Sequence, residues 1–341
     1  MTRSKVELHA HLNGSLHPAR LWALKAHHER RFPHEPLPVF PAWFTPPISE
    51  LQRRSLTFDD VFPLFGVVQA LTDHPEAVAQ AVEAVIDDFA ADGVRYLELR
   101  STPRAVPDRM TKLQYMRTIL ETMETRNARG QILSKYLVSW DRRQSLATAE
   151  ETLALALDLR AEFPNTLVGV DLSGDPRSGD ARSFIPLLEK ARHHGLKLAI
   201  HLAEVPNETE TWSILTELKP DRIGHGTAIH PSLGGSSRLW PALLTARIPV
   251  EVCLTSNLFC QSVPTLEQHH VVHLKAAHHP FVICTDDQGI FFSPLSQEYA
   301  LVQGLLGSSN EAMDQLALEA IDYTFASDSE KDTLRRAFQL P

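Results

Sequence analysis

Beyond Pro75 the chain repeats one pattern. A stretch with apolar residues every three or four positions is followed by a polar turn and then by a short unbroken apolar run. The first kind of stretch predicts a helix with one buried face, and the second a strand covered on both faces, as in a parallel sheet. Helices are expected at 76–92, 112–129, 146–162 and 181–194, with Gly93, Gly130 and Gly195 as stops. Strands are expected at 94–100, 131–140, 167–172 and 196–202. The alternation continues with a helix at 209–218, strand 222–225, helix 239–246, strand 250–254, helix 265–277, strand 281–284 and helix 294–306. Further helices fill 310–338.

The opening run Lys5–Ser15 adds an eighth strand, which breaks at Asn13-Gly14. Eight strand–helix units are the number that closes a TIM barrel, so the expected fold is an α/β (β/α)8 barrel. An open doubly wound sheet is the competitor, but no Gly-x-Gly-x-x-Gly follows the first strand. Such a barrel needs about 250 residues, and the 341 present leave a surplus at two places. One is the stretch 17–57, where Pro33, Pro36, Pro38, Pro41, Pro46 and Pro47 exclude one long helix. Trp22, Phe40, Trp43 and Phe44 between them speak against a disordered linker. It reads as a lid-like insertion of short helices, and the other surplus is the C-terminal helices. One domain, 1–341, is the economical reading.

Composition narrows the class. An apolar content of 43% and a charged content of 22% are ordinary for a globular protein, and a net charge of −9 without a basic run excludes an electrostatic nucleic-acid binder. No run approaches the ~18 apolar residues of a membrane span, and no signal-peptide pattern opens the chain. A cytoplasmic monomer is expected. Cys253, Cys260 and Cys284 sit in or near apolar runs, as reduced buried thiols do. Of 17 histidines, the pairs His27-His28, His193-His194, His269-His270 and His278-His279 are assigned to solvent.

The other histidines fall at the C-terminal ends of expected strands, where TIM barrels carry their active sites. His9 and His11, two apart on a strand, share a face. His201 ends the fifth strand, His225 the sixth, and Asp286-Asp287 the eighth. Any one of them alone reads as a core histidine or a helix cap; their common rim makes a site. Three histidines and a carboxylate suit Zn²⁺ with room for a water whose pKa falls to roughly 7. His9, His11, His201 and Asp286 are the expected ligands of one zinc per chain. His225, with help from Asp286, is expected to orient or deprotonate the water, and Glu204 to act as general acid.

These segments resemble the adenosine deaminase family. The resemblance rests on Lys5–Ser15, on 201–204, on Arg222-Ile223-Gly224-His225-Gly226-Thr227 and on Cys284-Thr285-Asp286-Asp287. Asp171-Leu172-Ser173-Gly174-Asp175 and Leu254-Thr255-Ser256-Asn257 extend it. Through His-Leu-Asn-Gly-Ser, 96–104, Asp141-Arg142-Arg143 and Ala326-Ser327-Asp328-Ser329 it is similar to the adenosine deaminase-like branch, the N6-methyl-AMP deaminases. The resemblance implies a mononuclear zinc enzyme that attacks C6 of a purine. It implies Glu204 at N1, His225 on the hydroxide, Asp287 at N7, the backbone of Gly174 at N3, and His11 beside the substrate as well as the metal. Cytosine-type zinc deaminases use Cys-x-x-Cys ligands, which are missing here. Binuclear relatives carry a strand-4 lysine, and strand 4 has none.

Adenosine deaminases proper have Asp where this chain has Asn13. A carboxylate beside a 5′-phosphate would repel it, whereas an amide can donate to it. Arg104 is the candidate phosphate clamp, with hydroxyls from Ser101 and Thr102. Asp141 bonds the ribose or orients Arg104, and Gln69 stands where the branch has histidine. The expected reaction is hydrolysis of N6-methyl-AMP, or related N6-alkyl purine nucleotides, to IMP and the alkylamine. The alternatives are an adenosine or adenine deaminase on the same scaffold and a non-catalytic purine-binding zinc barrel.

Overall fold

A computed structural model of the chain describes residues 4–36, 39–44 and 56–338. Its eight strands are β1 (Lys5–His11), β2 (Val94–Ser101), β3 (Leu133–Asp141), β4 (Leu167–Ser173), β5 (Lys197–Leu202), β6 (Arg222–His225), β7 (Val250–Val252) and β8 (Phe281–Ile283). They lie side by side in sequence order, each pair parallel. The chain beyond β8 returns to β1: the N–H of Asp286 donates to His9 (2.8 Å) and that of His11 to Asp286 (3.0 Å). The sheet is thereby closed into a TIM barrel.

The helices owe their placement to the pattern that predicts them. Pro75–Ala91 buries Ala77, Val78, Ala81, Val82, Val85, Ile86 and Phe89, spaced at three and four, and each large side chain contributes roughly 1.5–3 kcal/mol by leaving water. Gly93 then turns at φ 85° into β2. Lys112–Asn127 starts from a capping box in which Thr111 and Gln114 satisfy each other's backbone N–H groups. Parallel strands buried on both faces accept such helices as their cover.

Several expectations change. The helix expected at 265–277 divides into a 3-10 turn, Leu266–Gln268, and Val271–Ala276, because His269 between them is extended (φ −63°, ψ 135°). β7 stops at Val252, and Leu254–Phe259 is a short helix, so Thr255-Ser256-Asn257 is helical. The stretch 209–218 is a helix, Glu208–Ser213, followed by a π turn, Ile214–Leu218. His28, His269, His270 and His279 are buried, not solvated, since each packs inside the fold; His279, for one, reaches the carbonyl of Ile248 at 2.8 Å. Cys260 is exposed, unlike Cys253 and Cys284. In the proline-rich stretch Pro18–Arg31 is a full helix. Trp22 stacks on Phe40, Phe40 on Phe44, and Trp43 meets Phe292 past β8. The part of the expected insertion at 37–38 and 45–55 lies outside the described residues.

Candidate active site

The C-terminal ends of β1, β5, β6 and β8 bring His9, His201, His225 and Asp286 together, all buried, with potential ligand atoms within 4.8 Å of one another. His11 belongs to the innermost set. His201 Nε2 lies 3.1 Å from His9 Nε2 and 3.2 Å from His11 Nε2. Asp286 Oδ1 lies 3.4 Å from His9 Nε2 and 3.3 Å from His11 Nε2. Ligands about 2.0–2.1 Å from a tetrahedral ion stand about 3.3 Å apart, so the spacing fits a metal. His225 is farther out, its Nε2 3.9 Å from Asp286 Oδ2 and 3.9 Å from Glu204 Oε2.

Protons confirm that fit. His9 Nδ1 faces Glu251 Oε2 at 2.7 Å, and His201 Nδ1 faces Asp171 Oδ1 at 2.8 Å. A carboxylate only accepts, so each ring is protonated on Nδ1 and turns Nε2 into the cavity. The two Nε2 atoms, 3.1 Å apart, repel unless a cation, a proton or a metal ion, lies between them. Burial and Arg100 oppose a charge on His9, yet Asp286 and Glu251 hold its pKa up at about 9. The cavity attracts positive charge.

Behind the two carboxylates sits Arg100, fully buried, which donates to Asp171 Oδ1 (3.1 Å) and Glu251 Oε2 (3.0 Å). Arg222 donates to Glu251 Oε1 (2.6 Å), pairs with Glu98 and lies over the Phe325 ring. Arg100, Asp171 and Arg222 lie inside segments that carry the family resemblance, but the sequence assigns no role to them or to Glu251. Their signal, charged residues inside expected buried strands, was there to be read.

Three of the strand ends turn through left-handed backbone at non-glycine residues: Ala203 (φ 53°), His225 (φ 61°) and Asp286 (φ 64°). Each such residue costs of order 1 kcal/mol. Burial raises the Glu204 carboxyl to about 7, and burial beside charged Asp286 puts Asp287 well above the usual carboxylate range. Both carboxyls are therefore suited to hold a proton near neutrality. Ser256 Oγ fixes Asp286 Oδ2 at 2.6 Å. Gly14 leaves the space that Asp287 occupies, since a Cβ there would fall 1.6 Å from Asp287 Oδ1.

The other expected substrate residues lie at or just past the C-terminal ends of β1 to β4, except Gln69, which is on the helix Pro63–Leu71. Asn13 is half-buried, and its Oδ1 is buried without a partner. Arg104 Nη2 donates to the carbonyls of Gln69 (2.8 Å) and Thr72 (2.7 Å), and its Nε is buried without a partner. Gln69 therefore meets Arg104 through its backbone. The Ser101 hydroxyl is engaged with that of Tyr136 (3.1 Å), and Thr102 is half-buried. Asp141 pairs with Arg143, not with Arg104, so it does not orient the latter. It lies against Gly174, where φ is 103° and a Cβ would come within 2.5 Å of Asp141 Oδ1.

A closed barrel with three histidines, an aspartate and a proton-holding glutamate at its rim is the architecture of a metal-dependent hydrolytic deaminase. The adenosine deaminase family model matches residues 4–339, and the chain belongs to that family. Among curated relatives, the N6-methyl-AMP deaminase of Danio rerio is 42% identical over 98% of this chain and 94% of its own. That of Homo sapiens is 41% identical over 97% and 91%. The apo structure of the N6-methyl-AMP deaminase from Arabidopsis thaliana superposes with a TM-score of 0.84 at 35% identity, covering 99% of this chain and 96% of that one. A crystal structure of Arabidopsis ADAL complexed with IMP gives a TM-score of 0.82 at 34% identity, covering 98% of this chain and 96% of that one. The chain is a hydrolytic deaminase of purine nucleotide metabolism. No helix among the described residues is long and apolar enough to cross a membrane.

Proposed function

We propose that the enzyme hydrolyses N6-methyl-AMP, and related N6-alkyl purine nucleoside monophosphates, to IMP and the alkylamine, with one zinc per chain. The observation that carries this reading is the four-atom set of His9, His11, His201 and Asp286, flanked on one side by Glu204 and His225. The relatives' names and the nucleotides bound in the Arabidopsis structures support the substrate class. When bound, the zinc supplies Lewis acidity that brings a water's pKa to roughly 7.

The chain's own residues supply the rest. Glu204, protonated near neutrality, gives its proton to purine N1 and makes C6 electrophilic. Asp287, also protonated, donates to N7, and the Gly174 N–H to N3. These contacts hold the ring so that C6 faces the oxygen positioned by Asp286 and His225. Water adds at C6 and passes one proton to the carboxylate left on Glu204 or to Asp286; the remaining O–H proton moves to N6 as the C6–N6 bond breaks, so that the neutral alkylamine leaves and the C6 carbonyl and N1–H of IMP remain. At the far end, Asn13 presents an amide and no charge to the 5′-phosphate, and Arg104 offers its unpartnered Nε edge.

Steady-state kinetics on N6-methyl-AMP, AMP and adenosine test the reading, together with metal analysis of the purified protein. The highest kcat/KM is expected for N6-methyl-AMP, with one zinc per chain. A preference for free adenosine refutes the nucleotide assignment.

A further inference from the structure

His225 approaches the cavity of the metal ligands, yet its outer neighbour is of a different kind from theirs. Its Nδ1 lies 3.0 Å from Asn257 Nδ2, and Asn257 Oδ1 lies 3.1 Å from His269 Nε2. All three side chains are buried, at 2%, 2% and 0% exposure. We propose that Asn257 and His269 are positioning residues that hold His225 in one neutral tautomer, with its proton on Nε2. In this form His225 gives a hydrogen bond to the attacking oxygen and does not take a proton from it. The proposal rests on the deaminase reading of the site.

The assignment starts from a donor whose polarity is fixed. The backbone N–H of Val271 donates to His269 Nδ1 at 3.2 Å, so that nitrogen carries a lone pair. Burial keeps the His269 ring neutral, lowering its pKa to about 3, and its single proton is therefore on Nε2. That N–H can only donate to the Asn257 side chain, which places Oδ1 toward His269 and the amide nitrogen toward His225. An amide nitrogen only donates, so His225 Nδ1 must accept. The ring's proton is left on Nε2. The Val271 N–H determines the whole chain of bonds.

The contrast with the neighbouring rings gives this relay its meaning. His9 and His201 have carboxylates behind them, hold their proton on Nδ1 and offer lone pairs at Nε2. His225 has an amide donor behind it and offers an N–H. The groups behind these rings thus separate two metal ligands from a hydrogen-bond donor. His225 Nε2 stands 3.9 Å from Asp286 Oδ2 and from Glu204 Oε2, too far for direct bonds, and an oxygen atom set to one side of each line can meet both ends. The proton that the water loses then goes to a carboxylate oxygen within reach, on Glu204 or Asp286. The local backbone serves the same end. The extended residue at His269 that interrupts the expected helix turns its ring inward, and the short helix after β7 carries Asn257.

The test is long-range ¹H–¹⁵N correlation on the [¹⁵N]histidine-labelled holoenzyme without substrate, with His225 assigned by its loss in His225→Gln. Expected is an unprotonated, pyridine-type Nδ1 and a protonated, pyrrole-type Nε2. Asn257→Asp replaces the donor by an acceptor and is expected to move the proton to Nδ1, with kcat falling roughly 10²–10⁴-fold, the usual worth of a well-placed proton-transfer or hydrogen-bonding group. KM is expected to stay within about threefold, since binding contacts are untouched. His269→Gln keeps an N–H donor and should retain the wild-type pattern, whereas His269→Leu should lose it. A pyrrole-type Nδ1 in the wild type overturns the proposal, as does Asn257→Asp with unchanged kcat. Should that variant not fold, the wild-type spectrum alone decides. The tautomer is read without substrate, so a preference for a purine other than N6-methyl-AMP would refute the substrate assignment and leave this measurement standing.

Discussion

Asp171→Asn and Glu251→Gln make the same chemical change behind two of the proposed metal-ligand histidines, and the structure predicts unequal results. Asp171 uses one oxygen: Oδ1 accepts from both His201 and Arg100, while Oδ2 is buried without a partner. In Asp171→Asn the amide oxygen can keep both bonds and the NH2 group can take the empty place. Arg100 still has Glu251 as counter-ion. What is lost is the charge that makes His201 a better ligand, and such partners are worth about 10–100-fold in metal affinity. Glu251 uses both oxygens, Oε2 for His9 and Arg100 and Oε1 for Arg222. In Glu251→Gln an NH2 group must face an N–H on one side or the other, and two buried guanidinium groups lose their shared counter-ion. Breaking a buried pair in this way costs about 3–5 kcal/mol, equivalent to roughly 4–7 °C in a chain of this size. Competition titration with a zinc indicator and thermal melts of the metal-free proteins separate the effects. Asp171→Asn should melt near the wild type and bind zinc more weakly, while Glu251→Gln should lose both. Equal melting losses in the two variants would refute the argument that the unused Asp171 Oδ2 absorbs the substitution.

Other outcomes follow from single residues. Burial raises Glu204 to about 7; only its protonated form donates to N1, so kcat/KM should fall as pH rises past about 7, and a flat profile from pH 6 to about 9 would contradict the role. Glu204→Gln should lower kcat roughly 10²–10⁴-fold while IMP binding, measured by calorimetry, persists. Asn13→Asp sets a carboxylate near the 5′ end and should cost nucleotide kcat/KM at least about tenfold, one charge pair at intermediate dielectric, while leaving any nucleoside activity in place. Gly14→Ala places a methyl group on Asp287 Oδ1 and should raise KM for the purine through displacement of that carboxyl, with zinc content unchanged.

Much of this protein is written in local pattern. Alternating periodicities mark the eight strands and their order, because a strand covered on both faces and a helix covered on one leave different spacings of apolar residues. His9, His11, His201, His225 and Asp286 are recognisable together because strand ends in such a barrel share one rim. What the pattern could not say is which buried polar atom meets which. Arg100 reaches Asp171 and Glu251 from two other strands, and His269 reaches His225 through Asn257, contacts between residues far apart in the chain. His28, His269, His270 and His279 lie in stretches that look solvated one residue at a time, and tertiary packing buries them. In the sequence the His9-x-His11 pair is half of an expected metal site, completed by His201 and Asp286. Only the folded barrel determines on which nitrogen each ring keeps its proton, because that choice belongs to the partner behind the ring.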